Sequence, residues 1–164
     1  MSGKWFIIGC IFATVVILIG GVYILSATNS PQITASENAK AQLLNSNSFD
    51  WGNIPMHKGN VTKTFSIQNT GKDVLKLYNI KTSCHCTKAR VSIEGAESPD
   101  FGMSTVSSWT GEVMPGKQAQ LTVIFDPAFH GPQGVGPINR FVSAETNDKS
   151  NPKLTFTVTG TVVK

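Results

Sequence analysis

The sequence lacks any block of like charges. Lys and Arg total 14 and Asp and Glu total 10 among the 164 residues, a formal net charge of +4 at pH 7, and the basic residues stand singly. Domains that bind nucleic acids cluster their basic residues along one face or one helix. We therefore expect no nucleic-acid partner, and we interpret the weak positive charge as a solvated surface.

The sequence also lacks a pattern typical of an enzyme. Its three histidines, His57, His85 and His130, occur in unrelated contexts, and no Ser/His/Asp arrangement is recognisable. Cys84 and His85 are adjacent, but neighbours on a strand point to opposite faces, so they do not form a catalytic pair. The glycine-rich residues 131–136 lack the Lys of a phosphate-binding loop. We predict that the protein is not an enzyme.

Charge is absent altogether from one segment near the N-terminus. Between Trp5 and Leu25 every residue is apolar, aromatic or small except Thr14. A helix needs about 20 apolar residues to cross a bilayer, whereas a cleavable signal peptide has about 7–15 of them and a small-residue cleavage site. We predict an uncleaved transmembrane signal-anchor helix within residues 1–27, with the lipid bilayer as its partner.

The orientation of this anchor follows from the few charges around it. Lys4 precedes the apolar run, and residues 26–36 after it carry no Lys or Arg. The positive-inside rule then places the N-terminus in the cytoplasm and the rest of the chain outside it. We expect a single-pass protein of the cell membrane with an extracytoplasmic C-terminal domain.

The segment after the anchor has few apolar residues. Residues 28–48 are rich in Ser, Asn, Ala, Thr and Gln. This composition predicts a flexible linker and allows a short helix at residues 37–44.

Residues 49–164 have the pattern of a β domain. Five runs alternate apolar and polar side chains, and turn-forming residues such as Asn69-Thr70-Gly71 and Pro115-Gly116 lie between them. Period-two alternation places one set of side chains in a core and the other in water. Short strands separated by turn signals predict a sandwich. The five runs are residues 61–67, 74–80, 119–125, 141–144 and 154–158.

Several short motifs follow one another in an order that indicates a family. The order resembles the bacterial domain-of-unknown-function family 1573, which is similar to the immunoglobulin-like domains of the ASPM–Hydin group. The resemblance covers about residues 49–163 and implies an exported, antiparallel immunoglobulin-like β-sandwich of about seven strands without established enzymatic activity. The chain differs from the family in having His85 where Gly is common and in an insertion at residues 92–114. The motifs are Phe49-Asp50-Trp51-Gly52-Asn53-Ile54, Asn69-Thr70-Gly71, Ser83-Cys84-His85-Cys86-Thr87, Pro115-Gly116-Lys117, Phe125-Asp126-Pro127 and Thr146-Asn147-Asp148.

Cys84 and Cys86 are the only cysteines outside the apolar run. In an extended strand they would face the same side with Cα atoms about 6.6–6.8 Å apart, at the upper edge of disulfide geometry. Two such thiolates are suited to share a soft metal ion. Met103 in the insertion and His130 in the Gly/Pro-rich loop are the candidate further ligands. This set favours Cu(I) over zinc, because zinc does not normally take Met. Weaker candidates are Met56, His57 and Met114.

Alternatives for the two cysteines stay open. Besides a metal site, they could form a structural or redox-active disulfide, or remain reduced and packed. Our first functional hypothesis is a non-catalytic interaction or scaffold domain with an unknown protein partner. The second is a Cu(I) or soft-metal binding protein. The third is a thiol–disulfide redox role, which the spacing favours less, because thioredoxin-type motifs have two residues between the cysteines and this chain has one.

Overall fold

The computed structural model describes residues 3–26 and 33–164, without the side chains of Phe6 and residues 19–26. The chain divides into two units at the boundary between Ile33 and Thr34. In the first unit, the described residues 3–26 form the helix α1 (Gly3–Ser26).

The predicted anchor runs from Trp5 to Leu25, and the side chain of Leu25 lies outside the described residues. So does the predicted boundary at residues 27 and 28. Within the described part of the chain, no helix has both the length and the apolar character needed to cross a membrane. The membrane anchor stays a prediction.

The second unit is a β-sandwich, which confirms the all-β fold class. Within the described residues ten strands form two sheets of five, in the order β1-β3-β8-β5-β6 and β2-β10-β9-β4-β7. We call these the first and the second sheet. The strands are β1 (Ala41–Leu43), β2 (Ser48–Pro55), β3 (Val61–Asn69), β4 (Leu75–Thr82), β5 (Thr87–Ile93), β6 (Ala96–Glu97), β7 (Thr110–Val113), β8 (Gln118–Phe125), β9 (Gly136–Thr146) and β10 (Lys153–Val163). Short 3-10 turns follow β2 (Met56–Lys58) and β8 (Gly131–Gly134).

The expected count of about seven strands is wrong. The five alternating runs lie in β3, β4, β8, β9 and β10, as predicted. Four of the five additional strands were harder to detect, because β1, β6 and β7 span only two to four residues each and β2 is mostly exposed. The sheets are also not wholly antiparallel, since β2 pairs with β10 in parallel.

The core lies between the two sheets and follows the alternation. In β8, Ala119, Leu121 and Val123 are fully buried, while the residues between them are only partly buried. Phe65 of the first sheet meets Phe156 of the second with ring centroids 5.0 Å apart. Burying large apolar side chains on both inner faces holds the sheets together.

The insertion at residues 92–114 belongs to the sandwich. It contains β6 and β7, and its Phe101 is 1% exposed and joins the core. Trp109 packs against Phe101 with ring centroids 5.4 Å apart. An isolated bridge pairs Phe101 with Ala89 of β5. The insertion therefore supplies an edge strand to each sheet, β6 to the first and β7 to the second.

The predicted linker at residues 28–48 is wrong in its second half. The second unit begins at Thr34, and β1 pairs with β3 through residues 41–43. Ala39 is fully buried, and a strand rather than a helix occupies residues 41–43. Several apolar side chains of this segment are those of Ala and offer little surface for burial, but backbone pairing and burial fix the segment to the domain.

A buried carboxylate helps to fix β1. Asp148 has a fully buried side chain and accepts hydrogen bonds from the backbone N–H of Ala41 at 2.9 Å and of Ser150 at 2.8 Å. The side chain of Asn151 donates at 3.1 Å, and Lys40 lies 3.6 Å away. Burial raises the pKa of Asp148, but these hydrogen bonds and the Lys40 charge outweigh it, so the pKa lies below its ordinary value.

Replacing this carboxylate should destabilise the domain. Asp148→Ala removes the acceptor of the Ala41 and Ser150 N–H groups, and a buried donor left without a partner costs about 1–3 kcal/mol. We expect a loss of that size in urea unfolding. Glu112→Ala, which removes an exposed ion pair with Lys76, is the control and should cost less than about 1 kcal/mol. Equal losses in the two variants would contradict this role.

The same carboxylate makes stability depend on pH. Because the folded-state pKa of Asp148 is lowered, its contribution is complete above the unfolded pKa, about 3.9, and is lost as pH falls through the folded pKa. Urea midpoints of the wild type and Asp148→Asn should therefore converge when the pH is lowered from 7 to 3. A gap that stays constant over this range would show that the charge of Asp148 does not matter.

Candidate functional site

The residues Cys84-His85-Cys86 form a turn that connects β4 in the second sheet to β5 in the first sheet. The Cα atoms of the two cysteines are 5.3 Å apart. The extended-strand geometry considered for this segment does not occur, because the chain must cross between the sheets here.

The other end of the sandwich carries a different contact, an isolated β-bridge between Ser36 and Asp148.

The turn is held by hydrogen bonds from a buried threonine. The Thr82 hydroxyl is close to the carbonyl oxygens of both Cys84 and Thr87, at 3.1 and 3.0 Å. The Thr87 N–H donates back to the Cys84 carbonyl at 3.1 Å. A short polar side chain that bonds nearby backbone groups is a common way to stabilise a turn.

Adjacent strands fix the turn from both sides. The Asp126 N–H at the end of β8 donates to the Cys86 carbonyl at 2.9 Å. On the other sheet, Ser83 and Phe141 exchange two bonds of 2.9 Å, one through the Ser83 hydroxyl. The two cysteines are therefore presented by a backbone that both sheets support.

Cys84 and Cys86 are joined in a disulfide. Their Cα separation falls within the range usual for such bonds. The two sulfur-bearing residues differ in environment. Cys86 is 2% exposed and packs in a small apolar cluster with residues that include Phe125 and Ile138, whereas Cys84 is half-buried at the margin of that cluster. A reagent from solvent therefore meets Cys84 first.

A cationic side chain contacts the buried sulfur. The Arg140 Nε–H donates to Cys86 Sγ at 3.2 Å, and the guanidinium carbon lies 6.0 Å from the centroid of the Phe125 ring. Arg140 shares the inward face of β9 with Ile138 and Val142, because residues two apart point to the same side. A charged residue between two apolar residues at period-two spacing was the signal in the sequence, and Arg140 was not among the predicted site residues.

An imidazole lies beside the more accessible sulfur. His130 Nε2 is 3.7 Å from Cys84 Sγ, and the ring meets Phe129 edge-on with centroids 5.0 Å apart. The ligand atoms of Cys84, Cys86 and His130 all lie within 4.8 Å of one another. The structure thus brings together three of the four residues that the sequence analysis singled out for a metal.

The fourth residue, Met103, lies elsewhere. It is 44% exposed and lines a shallow groove with His85, Lys88 and Asp100. Neither cysteine nor His130 lines that groove. Met103 lies in the insertion between β6 and β7, whose positions at the sheet edges could not be read from local sequence.

A family model matches residues 43–100 of the chain, and the family is described as a protein of unknown function (DUF1573). The match includes the Cys84–Cys86 turn. The resemblance to this family is thereby confirmed over residues 43–100, and the predicted motifs after residue 100 lie outside the match. The matched region does not include the N-terminal apolar run.

A solved structure shares the fold, and another is less similar. A protein of unknown function from Porphyromonas gingivalis W83 is 21% identical with a TM-score of 0.57, over 81% of this chain and 51% of that chain. The ASH/PapD-like domain of human CEP192 is 15% identical with a TM-score of 0.48, over 81% of this chain and 92% of that chain. This chain therefore spans about half the length of the Porphyromonas protein. A comparison with curated proteins found no match. At 21% identity, the likeness to the Porphyromonas protein shows a shared fold alone.

The disulfide should contribute little to stability. It closes a ring with a sequence separation of 2, and the chain-entropy relation assigns such a short loop only about 1.6 kcal/mol. The variant Cys84→Ser/Cys86→Ser should therefore lose less than about 2 kcal/mol in urea unfolding. A loss as large as that of a long-loop disulfide, about 4 kcal/mol, would make the bond a structural cross-link. Wild-type protein unfolded in the presence of a reductant is the matched comparison.

Proposed function

We propose that this chain is a membrane-tethered, extracytoplasmic immunoglobulin-like interaction domain whose Cys84–Cys86 disulfide exchanges with cysteine thiols of a protein partner. The observation that carries the proposal is the contact of Arg140 Nε with Cys86 Sγ at 3.2 Å. Exchange requires an accessible sulfur to be attacked and a second sulfur that leaves with a negative charge. The half-buried Cys84 and the arginine-contacted Cys86 match these two roles.

The exchange proceeds in two steps. A partner thiolate attacks Cys84 Sγ, the bond to Cys86 breaks, and its electron pair goes to Cys86 Sγ, which leaves as a thiolate beside Arg140. This forms a mixed disulfide between the partner and Cys84. A second partner thiolate then attacks the partner sulfur and releases Cys84 as a thiolate. The partner's two thiols become a disulfide, and the chain's disulfide becomes two thiols.

Charge favours this direction of attack. The positive guanidinium stabilises negative charge on Cys86 by a charge-assisted hydrogen bond, and the apolar cluster around Cys86 strengthens that interaction because it excludes water. His130, 3.7 Å from Cys84 Sγ, is placed to donate a hydrogen bond to the second sulfur when Cys84 is released. Its Nε2 has this role only in the tautomer that carries the proton there.

The small contribution to stability expected of the disulfide supports a role in thiol exchange. A disulfide that stabilises a fold usually closes a long loop, whereas this one closes a very short one between residues that the backbone hydrogen bonds already hold. The proposal needs only stoichiometric exchange, so it keeps the prediction that the chain is not an enzyme.

The cellular location belongs to the same proposal. Disulfides persist in oxidising compartments, which supports a domain outside the cytoplasm. The uncharged run between Trp5 and Leu25 supports a tether to the bilayer. A tethered domain would meet partner proteins at the membrane surface.

Removing the arginine should slow the exchange. With reduced glutathione as the attacking thiol, we expect Arg140→Met to react about three- to tenfold more slowly than the wild type, because the leaving sulfur becomes a poorer thiolate. Free thiols are counted by alkylation and mass spectrometry over time. Arg90→Met, which changes an arginine on β5 that pairs with Asp100, is the matched control and should react at the wild-type rate.

The site of attack gives a second readout. Fragment spectra of the quenched reaction should locate the glutathione adduct on Cys84. An adduct mainly on Cys86, or an Arg140→Met variant that reacts as fast as the wild type, would contradict the proposal.

A further inference from the structure

We infer that the reduced form of this site binds one Cu(I) ion through Cys84 Sγ, Cys86 Sγ and His130 Nε2, with Arg140 as a hydrogen-bonding neighbour of the bound sulfur. The inference rests on the proposed function to the extent that it concerns the same two cysteines after reduction. Three of the potential ligand atoms already lie within 4.8 Å of one another.

The distance between sulfur and nitrogen fits a shared ion. With a metal–sulfur distance of about 2.3 Å, a metal–nitrogen distance of about 2.0 Å and a trigonal angle, the two ligand atoms should be about 3.7 Å apart. Cys84 Sγ and His130 Nε2 are 3.7 Å apart. An ion could therefore sit between them without movement of the loop that carries His130.

Reduction is needed to open the second sulfur position. In a disulfide each sulfur is bonded to the other, and only the thiolate is a metal ligand. In a trigonal site the two sulfurs should be about 4.0 Å apart, which the Cα separation of 5.3 Å permits. A dithiol converts the disulfide to two thiols and is itself oxidised to a disulfide. Binding of Cu(I) then releases two protons to solvent.

The charges and the ligand number favour Cu(I). Two thiolates and one Cu(I) carry a net charge of −1, which the Arg140 guanidinium beside Cys86 Sγ balances. Zinc takes a fourth ligand in structural sites. Among the described Cys, His, Asp and Glu residues, the group consists of Cys84, Cys86 and His130, and Met103 lines another groove. Soft sulfur ligands with imidazole suit copper.

The site also has an entry path. His130 is exposed and Cys84 is half-buried, whereas Cys86 is buried beneath them. An ion can therefore meet Cys84 and His130 first and reach Cys86 afterwards. This order of contact follows the decreasing exposure of the three ligands.

Anaerobic titration tests the inference. The full chain is reduced with a phosphine, desalted, and titrated with Cu(I) against the chromophoric competitor bathocuproine disulfonate. We expect one Cu(I) per reduced chain and none per oxidised chain. His130→Ala should weaken binding by about tenfold or more, the scale seen when a metal site loses a supporting group. X-ray absorption of the wild-type complex should show two sulfur neighbours and one nitrogen neighbour.

Matched controls separate the site from nearby side chains. His85→Ala changes a histidine that lies between the two cysteines but lines the Met103 groove, and Met103→Leu changes the residue predicted from the sequence. Both variants should bind Cu(I) as the wild type does. Cys84→Ser/Cys86→Ser and the oxidised wild type should both fail to bind, so the conclusion does not depend on the double variant alone.

Three results would overturn the inference: equal binding by oxidised and reduced chain, equal loss in His85→Ala and His130→Ala, or a complex without a nitrogen neighbour. Because binding is measured on chemically reduced protein, it does not require exchange with glutathione. Slow exchange with intact Cu(I) binding would reject only the proposed function, and normal exchange without binding would reject only the copper site.

Discussion

The packing of two sheets through their inward side chains is the constraint on which the rest of the structure depends. It forces every connection between the sheets to cross the end of the sandwich, and the connection from β4 to β5 carries both cysteines. Thr82 and Asp126 hold this crossing by hydrogen bonds, so the fold positions the two cysteines in addition to their own bond. The site is thus built into the sandwich.

The alternation of inward and outward side chains along β9 accounts for the position of Arg140 at the site. Arg140 lies on the face of β9 that also carries Ile138 and Val142, so its stem is directed toward the apolar cluster near the end of the sandwich. There the guanidinium meets Cys86 Sγ and the Phe125 ring. A cation in this position is costly without a partner. The Asn139 carbonyl oxygen, 2.9 Å from Arg140 Nη1, and Cys86 Sγ accept hydrogen bonds from the guanidinium and offset that cost.

Sequence reasoning recovered part of the fold and part of the site for identifiable reasons. The runs in β3, β8 and β10 were found because long strands show several periods of alternation. β1 was missed because a strand of three residues shows no period, and it is held by pairing with β3 and by a hydrogen bond to Asp148. Among the site residues, Cys84 and Cys86 stand out by their chemistry alone, whereas Arg140 required knowledge of which face of β9 is inward.

The sequence by itself determined the β-sandwich class, the alternating core of the long strands, the pair of cysteines and the uncharged N-terminal run, because each is a local pattern of residue types. Only the tertiary structure decided what surrounds the sulfurs. His130 is 46 residues and Arg140 54 residues away from the cysteine that each contacts, and Met103, nearer in sequence, lines a different groove. Proximity of this kind depends on which strands become neighbours when the two sheets pack, and no local period encodes it.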